Sequence, residues 1–145
     1  MVSEKKSFCV EIYTPSGSVC KTDAVSLVFP GVDGDIGILS GRSPLVAMLG
    51  AGRMRVQDPN GKEYAFFVAG GFAHVRDNAV TLLTEECLTV EEIDYEEAWE
   101  ALQQAQALPI DTDEQLRDRD QALAVARKRF NLVQEYRRRT LGERD

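Results

Sequence analysis

No arrangement of side chains in this sequence is typical of a catalytic site. His74 is the only histidine among 145 residues, so a multi-histidine metal site is excluded and a Ser-His-Asp triad could form only through that residue. It lies in a run of strand character, which favours a structural role over that of a general base. The adjacent carboxylates of Glu85-Glu86 and of Glu91-Glu92 would point to opposite faces of a strand. The sequence therefore predicts neither a catalytic centre nor a metal site.

A glycine-rich run from Gly34 to Leu45 is the most unusual local feature. Gly34, Gly37 and Gly41 punctuate a short apolar run, and Pro44 begins the next one. Glycine permits a positive φ or a close backbone approach, and proline disfavours helix in the residue before it. No Gly-Lys-Ser/Thr follows, so the run is not a P-loop. It predicts a short strand leading into a shaped, exposed loop whose glycines tolerate no side chain where φ is positive.

Composition favours a soluble cytosolic protein without nucleic-acid partners. The net charge is −7, whereas nucleic acids select basic surfaces. The three cysteines are widely spaced, which argues against a disulfide framework or a zinc site. No stretch approaches the roughly 18 apolar residues of a membrane span, and no apolar segment follows the N-terminal cations as in a signal peptide.

Residues up to about Thr89 have the pattern of β-strands. Phe8, Val10 and Ile12 alternate with the residues between them, as in a strand that is buried on one face. Turn residues recur at roughly eight- to twelve-residue spacing, and two pairs, Asn60-Gly61 and Asp77-Asn78, predict tight hairpins. This half of the chain predicts a sandwich or barrel of about eight to ten strands.

After Thr89 the pattern becomes helical. Asp94 can cap a helix that Pro109 ends, and Thr112 with Gln115 can begin a second one. Two helices joined by a short loop form an antiparallel hairpin. The first helix offers mostly alanine to its partner, and alanine buries little area at about 25 cal/mol per Å². We therefore expect a weakly held, movable hairpin.

Charge is unevenly distributed along this helical tail. Acidic residues gather at the start of the first helix, and a basic set lies in the second half of the second helix: Arg127, Lys128, Arg129, Arg137, Arg138 and Arg139. Both placements suit the helix macrodipole, at about 0.3–1 kcal/mol per charge. Alternatively, the basic set docks onto an acidic surface of a partner. The sequence leaves both explanations open.

The glycine-rich run, Phe67 to Phe72 and the helical tail together resemble the epsilon subunit of F-type ATP synthase, over about Phe8 to Thr140. The family pattern Gly-acidic-(Ile/Leu)-Gly-Ile-X-X-Gly-His-X-Pro-Leu is matched by Gly34, Asp35, Ile36, Gly37, Ile38, Gly41, Pro44 and Leu45. Arg42 stands where many members have histidine, and Ser40 where many have proline. The resemblance implies a ten-stranded β-sandwich in residues 1–90 and an antiparallel two-helix hairpin in residues 91–145.

The resemblance also implies a function and partners. It implies a non-catalytic subunit of the central stalk of the proton-translocating ATP synthase, which couples rotation of the rotor ring to ATP synthesis. The implied partners are the gamma subunit, the rotor c-ring and the catalytic alpha and beta subunits. The implied location is the cytoplasmic face of the bacterial cell membrane, reached only through the complex. The residues implied to contact the ring are Asp35, Gly37, Ser40, Arg42 and Pro44.

The helical tail is implied to be regulatory. Its basic set would meet acidic loops of the catalytic subunits and inhibit ATP hydrolysis. Some bacterial members also bind ATP through an Ile/Leu-Asp-X-X-Arg-Ala motif, which here is matched by Ile93, Asp94, Glu97 and Ala98. Glu97 replaces the arginine, so a triphosphate would meet like charge. We expect no cofactor and at most weak binding of ATP.

A second function class remains open. The chain could be a free-standing β-sandwich that binds carbohydrate or peptide, with a dimerising helical hairpin. An exposed aromatic platform would favour that alternative, but the only tryptophan, Trp99, lies in the first predicted helix. Co-purification with gamma distinguishes the two classes.

Overall fold

The computed structural model describes residues 6–142, with side chains as far as Thr140. In this part of the chain, ten strands precede two α-helices. The strands are β1 Phe8–Thr14, β2 Gly17–Ala24, β3 Ser26–Gly31, β4 Gly34–Ile38, β5 Leu45–Met48, β6 Ala51–Gln57, β7 Glu63–Ala69, β8 Phe72–Arg76, β9 Ala79–Leu83 and β10 Glu86–Thr89. A 3₁₀ turn, Val90–Glu92, leads into the helices α1 Tyr95–Gln106 and α2 Asp113–Gly142.

The strands form two five-stranded sheets. The first has the order β2-β1-β9-β8-β5 and the second has the order β10-β7-β6-β3-β4. In the first sheet, β1 and β9 run parallel, with Cys9 opposite Ala79. The prediction of a ten-stranded β-sandwich followed by a two-helix hairpin is confirmed. The chain divides into two compact units between Cys87 and Leu88.

The sandwich core is built from the alternating apolar positions of the strands. Val10 and Ile12 of β1, like Leu27 and Phe29 of β3, are fully buried. Burial of a side chain of this size contributes about 1.5–3 kcal/mol. The intervening residues of β1 point to the other face of its sheet, because successive side chains alternate across a strand. Each sheet therefore has an outer face that is separate from the core.

Both predicted hairpin turns are present. Asp77 and Asn78 have φ values of 51° and 60°, as a two-residue type I′ turn between β8 and β9 requires. The connection between β6 and β7 is a longer loop, residues 58–62, in which Gly61 has a φ of +87° and Asn60 does not have a positive φ. In each case the turn residues predict the connection because asparagine, aspartate and glycine tolerate positive φ better than other residues.

Gly70 and Gly71 form the corner at which the chain passes from the second sheet to the first. Their φ values are +76° and +107°. The buried hydroxyl of Thr84 lies 2.8 Å from the carbonyl oxygen of Gly70, and the amide of Leu49 donates to the carbonyl of Gly71 at 2.8 Å. The two glycines thus form a tight link between β7 and β8 that is closely surrounded by backbone.

The helical unit begins with a capped turn. The Glu92 carboxylate accepts from the Thr89 amide at 2.8 Å, and the Glu92 amide donates to the Thr89 hydroxyl at 3.3 Å. Hydrogen bonding of the Glu92 carboxylate to the backbone of Thr89, foremost, and to the Thr89 side chain holds the pKa of Glu92 below its ordinary value. A carboxyl with a lowered pKa stabilises the fold at neutral pH, and that contribution is lost as the pH falls through the lowered value.

Both helices begin at the predicted caps. The Asp94 side chain accepts from the Glu97 amide at 3.1 Å, and Thr112 with Gln115 forms a reciprocal capping box before α2. The contact between the helices buries small and apolar side chains, among them Ala98, Ala105, Ala126 and Val133. Neither helix in the described residues is both long and apolar enough to cross a membrane.

Candidate partner-binding surfaces

The glycine-rich run forms the edge strand β4 of the second sheet and the loop that follows it. Asp35 lies opposite Pro30 of β3, and both Asp35 and Gly37 are exposed. Ser40 is half-buried, whereas Arg42 and Pro44 are exposed. We call residues 34–44 the edge segment. The structure therefore places all five predicted ring-contact residues on one continuous, accessible stretch.

The expectation that the glycines are required by positive φ holds for only part of this segment. Gly34 and Gly41 have φ values of +132° and +83°, but Gly37 lies outside the left-handed region. A Cβ added at Gly37 would have no other atom within 4 Å. The fold therefore accepts a side chain at Gly37. Because glycine has none, the backbone of the edge strand is accessible at this position.

The loop after β4 makes a tight turn at residues 39–42. The Arg42 amide donates to the Leu39 carbonyl at 3.3 Å, and the Arg42 guanidinium donates to the Gly37 carbonyl at 3.2 Å. Leu39 is 65% exposed at the tip. Sequence reasoning missed Leu39, although an apolar residue between Gly37 and Gly41 was the available signal.

A second surface lies on the outer face of the first sheet. Met48, Phe72 and Leu83 are 56%, 52% and 54% exposed, respectively. Strand pairing places Met48 opposite Phe72, Phe72 opposite Leu83, and Leu83 opposite Tyr13. These four residues form a continuous row across β5, β8, β9 and β1, which we call the apolar row. Exposed apolar side chains that are contiguous mark interaction surfaces more often than scattered ones do.

Mostly polar residues border the apolar row. In the next register position Val46, His74, Thr81 and Glu11 lie side by side on the same four strands. The Tyr13 hydroxyl donates to the Glu11 carboxylate, and this hydrogen bond together with the carboxylate charge raises the pKa of Tyr13. An apolar centre with a polar border is the usual composition of a protein–protein interface.

A cleft joins the edge segment to the apolar row. It has a volume of about 380 Å³, and its walls come from the β3–β4 turn on one side and β5 on the other. Apolar groups from Val32, Ile36 and Met48 line it beside the carboxylates of Asp33 and Asp35. The two surfaces are therefore continuous, so one assembly could contact both at once.

Comparison with known proteins identifies the family. Residues 7–90 match the family model described as the ATP synthase delta/epsilon chain β-sandwich domain. A Rhodopirellula baltica ATP synthase epsilon chain is 37% identical over 119 residues, which covers 82% of this chain and 91% of that protein. This chain belongs to the ATP synthase epsilon family.

Other comparisons agree with this assignment to the epsilon family. A Staphylococcus haemolyticus ATP synthase epsilon chain is 39% identical over 127 residues, which covers 86% of this chain and 95% of that protein. The fold is also like that of a chain in the cryo-EM structure of Euglena gracilis mitochondrial ATP synthase, OSCP/F1/c-ring in rotational state 1. That likeness has a TM-score of 0.75 and 24% identity, over 88% of this chain and 81% of the other.

The residues predicted to form a degenerate ATP motif lie in the first turn of α1 and just before it. Ile93 and Ala98 are buried, Asp94 caps α1, and Glu97 is exposed. Three of the four motif residues therefore have roles within the hairpin itself. Among residues 6–142, no group of three or more histidine, cysteine, aspartate or glutamate side chains is placed to hold a metal ion.

The residues of the predicted basic set differ in their contacts and exposure. The Arg137 guanidinium lies over the Tyr95 ring, 4.1 Å from its centroid, and that ring also packs against Phe130 at 5.3 Å. Arg127, Lys128, Arg138 and Arg139 are exposed, while Arg129 is half-buried. Arg137 thus contributes to holding α2 against α1, a role that its charge alone did not reveal.

Proposed function

We propose that this epsilon chain is a non-catalytic stalk subunit that binds the gamma subunit through the apolar row and the rotor c-ring through the edge segment. The complex then lies at the cytoplasmic face of the bacterial membrane. By holding both partners, the sandwich transmits rotation of the ring towards the catalytic head and so couples it to ATP synthesis. The apolar row is the observation that carries this proposal.

The exposure of this row argues for a large, permanent partner. Three large side chains near half exposure keep apolar area in water. Burying that area would contribute about 25 cal/mol of free energy per Å². A partner that covers them recovers this free energy and encloses them within the polar border. Gamma is the candidate that the family relationship supplies.

Co-expression with gamma followed by size-exclusion chromatography tests this assignment. We expect a complex of one epsilon and one gamma chain, and a monomer when the chain is expressed alone. A homodimer that excludes gamma would instead support the alternative of a free-standing binding module. Light scattering on the eluted peaks separates these outcomes by mass.

Contact with the ring is tested by two substitutions in the edge segment. Asp35→Lys reverses an exposed charge, and Gly37→Val adds a side chain where the fold has open space. We expect either variant to lower ATP-driven ion pumping in reconstituted membranes while ATP hydrolysis by the catalytic head is unchanged, since only the partner surface is altered. Asp23→Lys on β2, an exposed aspartate elsewhere, is the matched control. Parent-like pumping and assembly in both variants would contradict the ring contact.

We also propose that the hairpin inhibits ATP hydrolysis by docking its exposed arginines on acidic loops of the catalytic subunits. Arg138→Glu with Arg139→Glu tests this without disturbing the Tyr95–Arg137 contact. An exposed charge pair is worth about 0.2–1 kcal/mol, so we expect hydrolysis to rise by up to roughly 30-fold at low salt and less at physiological salt, where the Debye length is about 8 Å.

The charge-matched control for this experiment is Arg55→Glu with Arg117→Glu, since both residues are exposed and lie outside the basic set. It should leave the rate of hydrolysis unchanged. An equal rise in both double variants would mean that net charge, and not docking of α2, sets the rate. No rise at any ionic strength would leave the helix macrodipole as the sufficient explanation of these arginines.

A further inference from the structure

The amide side chain of Asn78 forms hydrogen bonds with the turn at residues 39–42. The Asn78 Oδ1 accepts from the Gly41 amide at 3.0 Å and from the Ser40 hydroxyl at 3.2 Å. Its Nδ2 donates to the Ser7 carbonyl at 2.8 Å. Asn78 therefore ties the edge segment to the residue before β1 and to the β8–β9 turn, three parts of the chain that are far apart in sequence.

The position of this amide is fixed by its backbone. Asn78 has a φ of 60° in the type I′ turn, and its carbonyl accepts from the Cys9 amide at 3.2 Å. Within the edge segment itself, the Arg42 guanidinium donates to the Gly37 carbonyl. The turn is thus held by Asn78 and by a contact of its own segment, while Leu39 stays 65% exposed at its tip.

We infer that Asn78 is a positioning residue that orders the turn at residues 39–42 and so presents Leu39 and Arg42 to the partner. Ordering this turn before binding removes an entropic cost that the complex would otherwise meet. The identity of the partner as the rotor ring rests on the proposed function. The ordering of the turn does not, because it is a property of the isolated chain.

If Asn78 served only the β8–β9 turn, its left-handed backbone conformation would be sufficient. Glycine adopts that conformation as readily, so Asn78→Gly keeps the turn geometry and removes all three side-chain contacts. Asp77→Gly makes the same exchange at the other left-handed position, where the side chain pairs with exposed Arg76 instead. The two variants separate the side-chain contacts from the backbone effect.

Amide hydrogen exchange of the full chain, followed by NMR, measures the order of the turn. Losing one hydrogen bond should speed exchange of the Gly41 amide by roughly tenfold in Asn78→Gly and leave it unchanged in Asp77→Gly. The Val80 amide in β9 reports whether the sandwich remains folded. Parent-like exchange at Gly41 in Asn78→Gly, or an equal increase in both variants, would overturn the inference.

Asn78→Asp provides the rescue and an independent test if the glycine variant unfolds. Its carboxylate keeps an acceptor for Gly41 and Ser40 but cannot donate to Ser7, and aspartate tolerates positive φ. Exchange at Gly41 should then stay within about threefold of the parent chain, less than the loss of a full hydrogen bond would produce. Loss of protection in this variant with Val80 still protected would show that the acceptor does not order the turn.

Ion pumping by the reconstituted complex links the turn to its partner. Asn78→Gly should lower ATP-driven pumping with hydrolysis unchanged, and Asn78→Asp should restore it. Faster exchange at Gly41 with normal pumping would keep the positioning role and overturn the contact between the edge segment and the ring. Normal exchange with lowered pumping would overturn the positioning role alone.

Discussion

Gly71→Ala is expected to lower the free energy of unfolding of the sandwich by roughly 3–5 kcal/mol. The added Cβ would lie 1.8 Å from the Leu83 carbonyl oxygen and 2.8 Å from the Thr84 Cα, both of which are backbone atoms in a closely surrounded corner. The φ of +107° adds strain for any residue with a side chain. Since small domains have only about 5–15 kcal/mol of stability, this loss is large. Urea unfolding followed by circular dichroism measures it.

Gly61→Ala is the matched control for this experiment. Gly61 also has a positive φ, +87°, but a Cβ there would meet no other atom within 4 Å. Only the backbone cost remains, at about 1–2 kcal/mol. Similar losses in the two variants would mean that the corner relaxes around the new methyl group, and the close packing at Gly71 would then carry no special cost.

Phe72→Asp should weaken binding to gamma by a factor of roughly 30 or more. Phe72 lies in the middle of the apolar row, between Met48 and Leu83, and large aromatic residues at the centre of an interface often cost 2 kcal/mol or more when they are lost. The substitution also places an unpaired charge where a partner would exclude water. Surface plasmon resonance with immobilised gamma gives the ratio of dissociation constants.

Ile110→Asp is the control for the loss of an exposed apolar side chain. Ile110 is 57% exposed, slightly more than Phe72, and lies in the loop between α1 and α2. Its replacement should leave the affinity for gamma within about twofold of that of the parent chain, because Ile110 lies outside the apolar row. Unchanged affinity in Phe72→Asp, with the sandwich still folded, would exclude the row as the gamma site.

Much of the fold follows from local patterns in the sequence. The alternation at Phe8, Val10 and Ile12 predicts β1, and the pair Asp77-Asn78 predicts a hairpin, because each signal depends on neighbouring residues alone. The capping residues before both helices bond to groups three residues further along the chain, so they too can be recognised from the sequence. The edge segment was also predicted, since its glycines and proline are unusual in composition.

What could not be predicted depends on pairing between distant strands. The apolar row exists only once Met48, Phe72 and Leu83 come into register on three strands, and within its own run Leu83 resembles its buried neighbour Leu82. The sequence likewise does not distinguish Gly37, which the fold does not require, from Gly41, which it does. The contacts of Asn78 with the edge segment arise from tertiary structure that no local pattern encodes.

The parallel pairing of β1 with β9 has a consequence for biosynthesis. Residues 9–13 leave the ribosome early, but the strand that completes their sheet, residues 79–83, is made roughly 4–14 s later at about 5–20 residues per second. During that interval β1 has only its hairpin partner β2 within its own sheet, so its other edge is unpaired and the core face of Phe8, Val10 and Ile12 belongs to an incomplete sheet. The nascent subunit is therefore most exposed to aggregation and to chaperones before the β8–β9 hairpin emerges, and its sandwich closes only near the end of that unit's synthesis.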